Sequence, residues 1–160
     1  MGVSGSGKTT VAAILARRLA WPFEEGDALH SAANVEKMKA GRPLTDLDRA
    51  PWLEAVAEWV NARLDAGENG IITCSALKRR YRDVIDRRRR GVAFIFLAGS
   101  KETIAPRLAL RRDHFMPPAL LDSQFADLEA PRPDEPVITF DIAAPPDVIA
   151  QEIIDTLRLP

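Results

Sequence analysis

The chain has 160 residues, a formal net charge of −1 and a single cysteine, and these numbers exclude several functions. The balanced charge gives no general attraction to nucleic acid or to an anionic membrane surface. One cysteine cannot form an internal disulfide, and the best apolar run, residues 92–97, is far shorter than a membrane span. Hydrophobic residues make up 46% of the chain, which is ordinary for one globular domain covering residues 1–160. The expected location is a reducing cytoplasm.

Helical and strand patterns alternate along the chain. The first predicted helix has an apolar stripe formed by Val11, Ile14, Leu15 and Leu19. The predicted strands after it cover residues 21–25, 70–74, 92–97 and 137–141. The other predicted helices cover residues 32–40, a longer segment with Pro51 near its start and Gly67 at its end, and residues 77–89, 101–110, 118–128 and 146–157. This alternation predicts an α/β fold, with a parallel sheet sandwiched by helices.

The segment before the first helix matches the phosphate-binding loop (P-loop) pattern G-x-x-x-x-G-K-[ST]. Its glycines free backbone N–H groups to surround phosphate oxygens, and the helix that follows points its positive end at the anion. In this pattern Lys8 contacts the β- and γ-phosphates and Thr9 offers a hydroxyl to Mg²⁺. A glycine-rich turn with no ligand is the alternative. The residues predicted to hold the nucleotide here are Gly2, Ser4, Gly5, Ser6, Gly7, Lys8, Thr9 and Thr10.

The position of this loop in the sequence is unusual. A phosphate-binding loop normally connects a buried strand to its helix, and here only Met1 precedes Gly2. The sequence therefore predicts a P-loop-type sheet whose first strand is missing or truncated. Because that strand usually lies in the middle of the sheet, its loss would leave unpaired edges on both neighbours. We expect weakened folding and poor nucleotide affinity for the chain as written.

Two carboxylates, spaced by one residue, lie at the end of the predicted strand at residues 21–25. Glu25 could hold the hydration shell of Mg²⁺, and Asp27 could orient an attacking hydroxyl or accept its proton. A solvated acidic turn would give the same pattern. The nearby phosphate-binding loop and His30 favour the functional interpretation.

Arg49 stands near the start of the long predicted helix. Helix capping explains Asp46 and Asp48, which precede it, but it does not explain an arginine where the helix dipole disfavours positive charge. A guanidinium that reaches for a carboxylate is one explanation. An ordinary capped helix start, with Pro51 in the first turn, is the other.

Small residues follow the predicted strand at residues 70–74. Ser75 and Ala76 would lie at the carboxyl end of the sheet, where open α/β proteins bind ligands, and would allow a substrate to approach backbone N–H groups. Cys74 is predicted to be a small buried hydrophobic residue rather than a nucleophile.

A basic segment lies in the second half of the chain. Arg107 and Arg111 are one helical turn apart and so share a face. We predict that residues 107–118 form a lid that closes over ATP, excludes water and places guanidinium groups against the transferring charge. An amphipathic surface helix is the alternative.

Taken together, the motifs resemble the bacterial-type gluconokinase family, in the same broad group as shikimate kinases. The matching blocks run in order from Met1 to Pro131: MGVSGSGKTT, GDALH, LTDLDRAPWL, CSALKRRYRD, RLALRRDHFM and SQFADLEAP. Each block after the first is weak alone, but their combination is specific.

The resemblance implies transfer of the ATP γ-phosphoryl group to the 6-hydroxyl of D-gluconate, with Mg²⁺ as cofactor. It implies catalytic roles for Lys8, Asp27, Arg49 and Arg111, and a substrate-binding region over residues 27–66. Contacts to the sugar acid are expected from Asp27, His30, Arg49, Ser75 and Gln124. Family members are commonly homodimers, which allows a homodimer here.

Two other functions stay open at this stage. One is a kinase for another small hydroxy acid such as shikimate, although a shikimate kinase would favour a glycine-rich triplet in place of residues 74–76. The other is a non-catalytic regulator that binds ATP. The missing strand slightly supports the regulator, and the set formed by Lys8, Thr9, Asp27 and Arg49 opposes it.

Overall fold

The computed structural model describes residues 1–88, 91–109 and 120–160. Within these ranges the strands are β1 (Phe23–Glu25), β2 (Ile71–Thr73), β3 (Phe94–Ala98) and β4 (Val137–Asp141). The helices are α1 (Lys8–Leu19), α2 (Ala32–Lys39), α3 (Asp46–Ala66), α4 (Arg79–Ile85), α5 (Lys101–Ala109), α6 (Leu121–Asp127) and α7 (Pro146–Leu157). A 3₁₀ turn, Gly26–Leu29, links β1 to the segment before α2. In these ranges no helix is both long and apolar enough to cross a membrane.

The strands form two parallel pairs rather than one continuous sheet. β1 pairs with β2, with Phe23 opposite Ile71, and β3 pairs with β4, with Phe94 opposite Val137. The backbone at the start of the chain lies between the two pairs. The Gly2 N–H donates to the Ser75 carbonyl (3.1 Å), and the Leu97 N–H donates to the Met1 carbonyl (3.0 Å). The phosphate-binding loop therefore begins between β2 and β3.

The strands are covered by helices on both faces, as the sequence predicts. Alternate strand residues point to opposite faces, so Ile71 packs into one hydrophobic cluster and Ile72 into the other. The first cluster includes buried residues of α1 and α7, and the second includes buried residues of α3 and α4. This is the three-layer arrangement of an α/β protein with a parallel sheet.

Local signals explain where α3 begins and ends. Thr45 and Asp48 form a capping box, in which the Thr45 hydroxyl accepts from the Asp48 N–H (3.2 Å) and the Asp48 carboxylate accepts from the Thr45 N–H (2.7 Å). The helix ends at Gly67, whose φ of +66° is favourable for glycine. Because the cap fixes the first turn of α3, it also fixes the direction in which the Arg49 side chain leaves the helix.

The predicted helix at residues 77–89 is shorter in the structure, where α4 covers Arg79–Ile85. At the start of the helix, the reason is a buried ion pair. The side chain of Arg82 is 2% exposed, donates to the carbonyls of Ala76 (3.1 Å) and Leu77 (3.2 Å), and pairs with Glu135. The two carbonyls accept hydrogen bonds from the buried guanidinium rather than from the backbone of a helical turn. Ala76 also adopts a left-handed conformation, with φ of +44°, which is incompatible with a helix at that residue. The predicted strands at residues 21–25, 70–74 and 92–97 likewise begin or end a few residues from β1, β2 and β3.

Candidate active site

The phosphate-binding loop leads directly into α1. Gly5 and Gly7 have φ of +81° and +93°, a region that side chains other than glycine rarely adopt. Gly7 occupies the N-cap position without a side-chain cap, and the first turn of α1 contains no acidic residue. The positive end of α1 is therefore left for an anion from outside the helix.

The polar side chains of the loop fit a phosphate ligand. The Lys8 ammonium lies back over the loop and donates to the carbonyls of Gly2 (3.1 Å) and Val3 (3.0 Å). The Ser6 hydroxyl oxygen is buried and has no hydrogen-bond partner within the described residues. Because a buried hydroxyl without a partner is costly, it suits a site completed by a ligand's oxygens. Thr9 and Thr10, in the first turn of α1, are exposed.

One cleft brings the predicted site residues together from distant parts of the sequence. The loop contributes Ser4 and Lys8, and the 3₁₀ turn after β1 contributes Asp27. α3, the segment after β2 and α6 complete the walls. The predicted residues that line the cleft are Ser4, Lys8, Asp27, His30, Arg49, Ser75 and Gln124.

Glycine at position 26 explains how Asp27 reaches the cleft. A Cβ at that position would lie 1.9 Å from the Thr73 carbonyl oxygen, so only glycine allows the 3₁₀ turn to cross β2 so closely. The Gly26 N–H donates to the Thr73 hydroxyl (3.1 Å), and the Trp52 indole N–H donates to the Gly26 carbonyl (2.7 Å). The backbone beside Asp27 is therefore held from both the sheet and α3.

His30 forms part of the cleft wall by stacking on Trp52. The ring centroids are 4.2 Å apart and the ring planes are 17° from parallel. Burial lowers the pKa of His30, although the negative charge of Asp27 acts in the opposite direction. The imidazole is therefore neutral at pH 7, and its buried Nδ1 has no partner within the described residues.

Arg49 is held by side chains from two other helices. Its Nη1 donates to the Asp127 carboxylate (2.9 Å) and to the Tyr81 hydroxyl (3.0 Å), and its side chain is 11% exposed. The sequence predicted a guanidinium that reaches for a carboxylate, and in the structure it reaches the carboxylate of Asp127. Burial opposes ionisation of Asp127, but hydrogen bonds from Lys78 and Arg49 outweigh it and hold the pKa of Asp127 below its usual value.

Gln124 makes a direct contact with the phosphate-binding loop. Its Oε1 accepts a hydrogen bond from the Ser4 N–H at 2.6 Å, and both residues are buried. The sequence predicted Gln124 as a substrate contact, and the structure places its side chain in the cleft. Its contact with the substrate stays a prediction.

The other predicted site residues lie elsewhere. The Thr73 hydroxyl donates to the Glu25 carboxylate, and Glu25 is not among the residues that line the cleft. Arg107 in α5 donates to the Ile142 carbonyl (3.1 Å) after β4. Arg111 and most of the predicted lid, residues 110–118, lie outside the described residues. The metal and lid roles of these residues stay predictions, and the described ranges contain no cluster of three or more His, Cys, Asp or Glu that could hold a metal.

Cys74 is buried, as predicted from the sequence, and its side chain is a poor nucleophile. Desolvation raises the pKa of the thiol to about 12. At neutral pH the group is therefore a thiol rather than the thiolate that nucleophilic chemistry needs.

Sequence reasoning missed the groups that hold Arg49. Tyr81 and Asp127 lie 32 and 78 residues from it in the chain, so no local pattern links the three. Both stand in motif blocks, CSALKRRYRD and SQFADLEAP, but neither block shows which residue points at Arg49.

The loop, the parallel strands and the helical walls around one cleft define a P-loop kinase. The AAA domain family matches residues 1–131. The chain is 52% identical to a gluconokinase of Gluconobacter oxydans over 96% of this chain and 86% of that protein. It is also 47% identical to the thermosensitive gluconokinase of Escherichia coli, over 84% of this chain and 72% of that protein. The chain belongs to the gluconokinase family.

Solved structures give the same result for the fold. An unliganded sugar kinase from Janibacter sp. HTCC2649 superposes with a TM-score of 0.93 and 50% identity, covering 99% of this chain and 92% of that one. A gluconokinase from Sinorhizobium meliloti has a TM-score of 0.87 and 45% identity, covering 99% and 89%. An APS kinase from Mycobacterium tuberculosis, with a TM-score of 0.70 and 20% identity over 99% and 94%, shares the fold.

Proposed function

We propose that this protein transfers the γ-phosphoryl group of ATP to the 6-hydroxyl of D-gluconate and releases ADP and 6-phosphogluconate. The observation that carries the proposal is the single cleft that joins Lys8 of the phosphate-binding loop to Asp27 and Arg49. It holds a cation for the phosphates, a carboxylate for the hydroxyl and a guanidinium for an acid. The gluconokinase relatives support gluconate as that acid.

The loop side of the cleft would hold the nucleotide. Backbone N–H groups of residues 5–9 and the Lys8 ammonium would surround the phosphate oxygens, where Lys8 would exchange its two carbonyl partners for the ligand. The Thr9 hydroxyl would hold Mg²⁺ directly, and Glu25 would hold its hydration shell. When bound, the metal withdraws negative charge from the β- and γ-phosphate oxygens.

The other side of the cleft would present the sugar acid. The Arg49 guanidinium would hold the carboxylate of gluconate, with His30 and Ser75 beside the hydroxyl groups. Asp27 would orient the 6-hydroxyl and accept its proton as the oxygen forms its bond to phosphorus. The bond from phosphorus to the bridging oxygen breaks at the same step, and its electron pair leaves with ADP.

A coupled assay with ATP and a panel of acids tests the proposal. We expect ADP release with gluconate and much less with shikimate or with hexonates of other stereochemistry. Faster turnover of another acid would replace gluconate as the substrate. ATP binding without ADP release for any acid would instead support the regulator. The lid role of Arg107 and Arg111, the homodimer and the cytoplasmic location stay predictions, and size-exclusion chromatography with light scattering would test the homodimer.

A further inference from the structure

Two residues on α6 connect the two halves of the cleft. Gln124 accepts the Ser4 N–H of the phosphate-binding loop at 2.6 Å, and Asp127 accepts from Arg49 at 2.9 Å. Residues three apart on a helix lie on the same face, so both contacts are made from one side of α6. One short helix therefore touches the loop that would hold ATP and the arginine that would hold the sugar acid.

The end of α6 that carries Asp127 is fixed to the body of the protein. The Glu129 N–H donates to the Leu77 carbonyl (2.9 Å), and the Glu129 carboxylate accepts from the Arg79 N–H (2.7 Å). The Lys78 ammonium also pairs with the second carboxylate oxygen of Asp127, at 3.0 Å. Asp127 is thus held by the protein when it accepts from Arg49.

Within the part of the chain that the structure describes, the hydrogen bonds of Arg49 use one of its three nitrogens. Among the described residues, its hydrogen bonds to Asp127 and Tyr81 both start from Nη1. The Tyr81 hydroxyl donates in turn to Asp46, which fixes its direction. The Nη2 and Nε groups form the other edge of the guanidinium, which is the edge that can bind a carboxylate through two parallel hydrogen bonds.

We infer that Asp127 and Gln124 are positioning residues, which set the spacing between the carboxylate-binding edge of Arg49 and the phosphate-binding loop. This inference rests on the proposed function, because it assumes that Arg49 binds the acid. A fixed spacing matters for phosphoryl transfer, since the hydroxyl and the γ-phosphate must meet in line and small displacements cost large factors in rate.

The test compares KM values for the two substrates in matched variants. We expect Asp127→Asn to raise the KM for gluconate about tenfold and to lower kcat, because the acid is no longer held in line with the γ-phosphate. The KM for ATP should be unchanged, because the aspartate contacts only the acid-binding side. Gln124→Leu should raise the KM for ATP, because the variant lacks the oxygen that accepts the Ser4 N–H of the phosphate-binding loop. Asp122→Asn is the control, because Asp122 is an exposed residue on α6 that pairs with Lys101, outside the cleft. A merely structural role would lower kcat through a smaller active fraction and leave both KM values unchanged, which would overturn the inference.

Two further measurements test the positioning role even if one variant folds poorly or gluconate is not the substrate. Tyr81→Phe removes the other partner of Nη1 and should raise the KM for gluconate severalfold, in the same direction as Asp127→Asn. NMR of the substrate-free protein should show restricted rotation of the Arg49 guanidinium in the wild type and freer rotation in Asp127→Asn. A wild type without gluconate turnover would refute the proposed function alone. An unchanged Arg49 signal would refute the positioning role.

Discussion

Replacing Arg49 with alanine is the sharpest test of how the cleft would recognise an acid. The Nη2 and Nε edge, which makes no hydrogen bond to the described residues, can give two hydrogen bonds to a carboxylate, and bonds to charged groups contribute about 1.5–3 kcal/mol each. Two such bonds give about 3–6 kcal/mol, and 1.4 kcal/mol corresponds to a factor of ten. Because the side chain keeps some contact with solvent, we take the lower end and expect the KM for gluconate to rise about a hundredfold.

The structure also indicates that this variant should fold. Without Arg49, Asp127 keeps its contact with Lys78 (3.0 Å), and Tyr81 keeps its contact with Asp46. No carboxylate is therefore left buried without a partner. The assay is the coupled release of ADP, with gluconate and ATP varied in turn. Arg63→Ala is the matched control, because Arg63 lies on the same helix and pairs with Glu68 outside the cleft. A change in the KM for ATP alone would refute the assignment of Arg49 to the acid.

Three more predictions concern the cleft and one concerns the core. Lys8→Ala should abolish measurable turnover, because it removes the positive charge at the transferring phosphate; retained ADP release would contradict this. Asp27→Asn should lower kcat roughly a hundredfold while ATP binding, measured by calorimetry, is retained; comparable activity would eliminate Asp27 as proton acceptor. Burial lowers the pKa of His30, so as pH falls the histidine is protonated in the unfolded state before it is protonated in the folded state. The free energy of unfolding should therefore decrease as pH drops below the ordinary histidine pKa. His30→Gln should reduce this decrease, measured by urea melts at pH 7 and 5, and an equal decrease in the variant would contradict the prediction. Cys74 should resist a thiol reagent at pH 8 until the protein unfolds, because its pKa is raised to about 12; fast labelling of the native protein would disprove this.

The parts of the fold that the sequence predicts well are those with local signals. β4 (Val137–Asp141) and α7 (Pro146–Leu157) have the predicted bounds, and two prolines, Pro145 and Pro146, mark the start of the helix. Gly67 ends α3 as predicted. The errors in the predicted elements arise where a contact with a residue distant in the sequence determines the local structure. The 3₁₀ turn Gly26–Leu29 depends on the close approach of Gly26 to Thr73, 47 residues away, and no local pattern records that approach.

In the candidate site, too, the sequence predicted which residues matter better than it predicted which residues they contact. The sequence predicted seven of the residues that line the cleft. The phosphate-loop pattern and the position after a strand are readable signals for most of them, the helix start marked Arg49, and Gln124 came from the family resemblance alone. It did not predict the partners of Arg49, since a hydrogen bond to Asp127 depends on the tertiary packing of α3 against α4 and α6. A guanidinium placed at an unfavourable helix start indicated that a carboxylate was near, and the structure shows that the protein supplies one itself.

That carboxylate is consistent with a substrate carboxylate in the same place. A guanidinium has two edges, and a single aspartate on one edge leaves the planar group oriented but with its other edge available. Asp127 also pairs with Lys78, Lys78 pairs with Asp46, and Asp46 pairs with Arg80, so this group of three cations and two carboxylates keeps a net positive charge for an anion. If Asp127 instead neutralised Arg49 completely, adding an acid would bring two carboxylates onto one cation. Lys78 prevents this, because its positive charge offsets part of the charge of Asp127. Lys78→Met should therefore weaken gluconate binding although, among the described residues, Lys78 does not line the cleft.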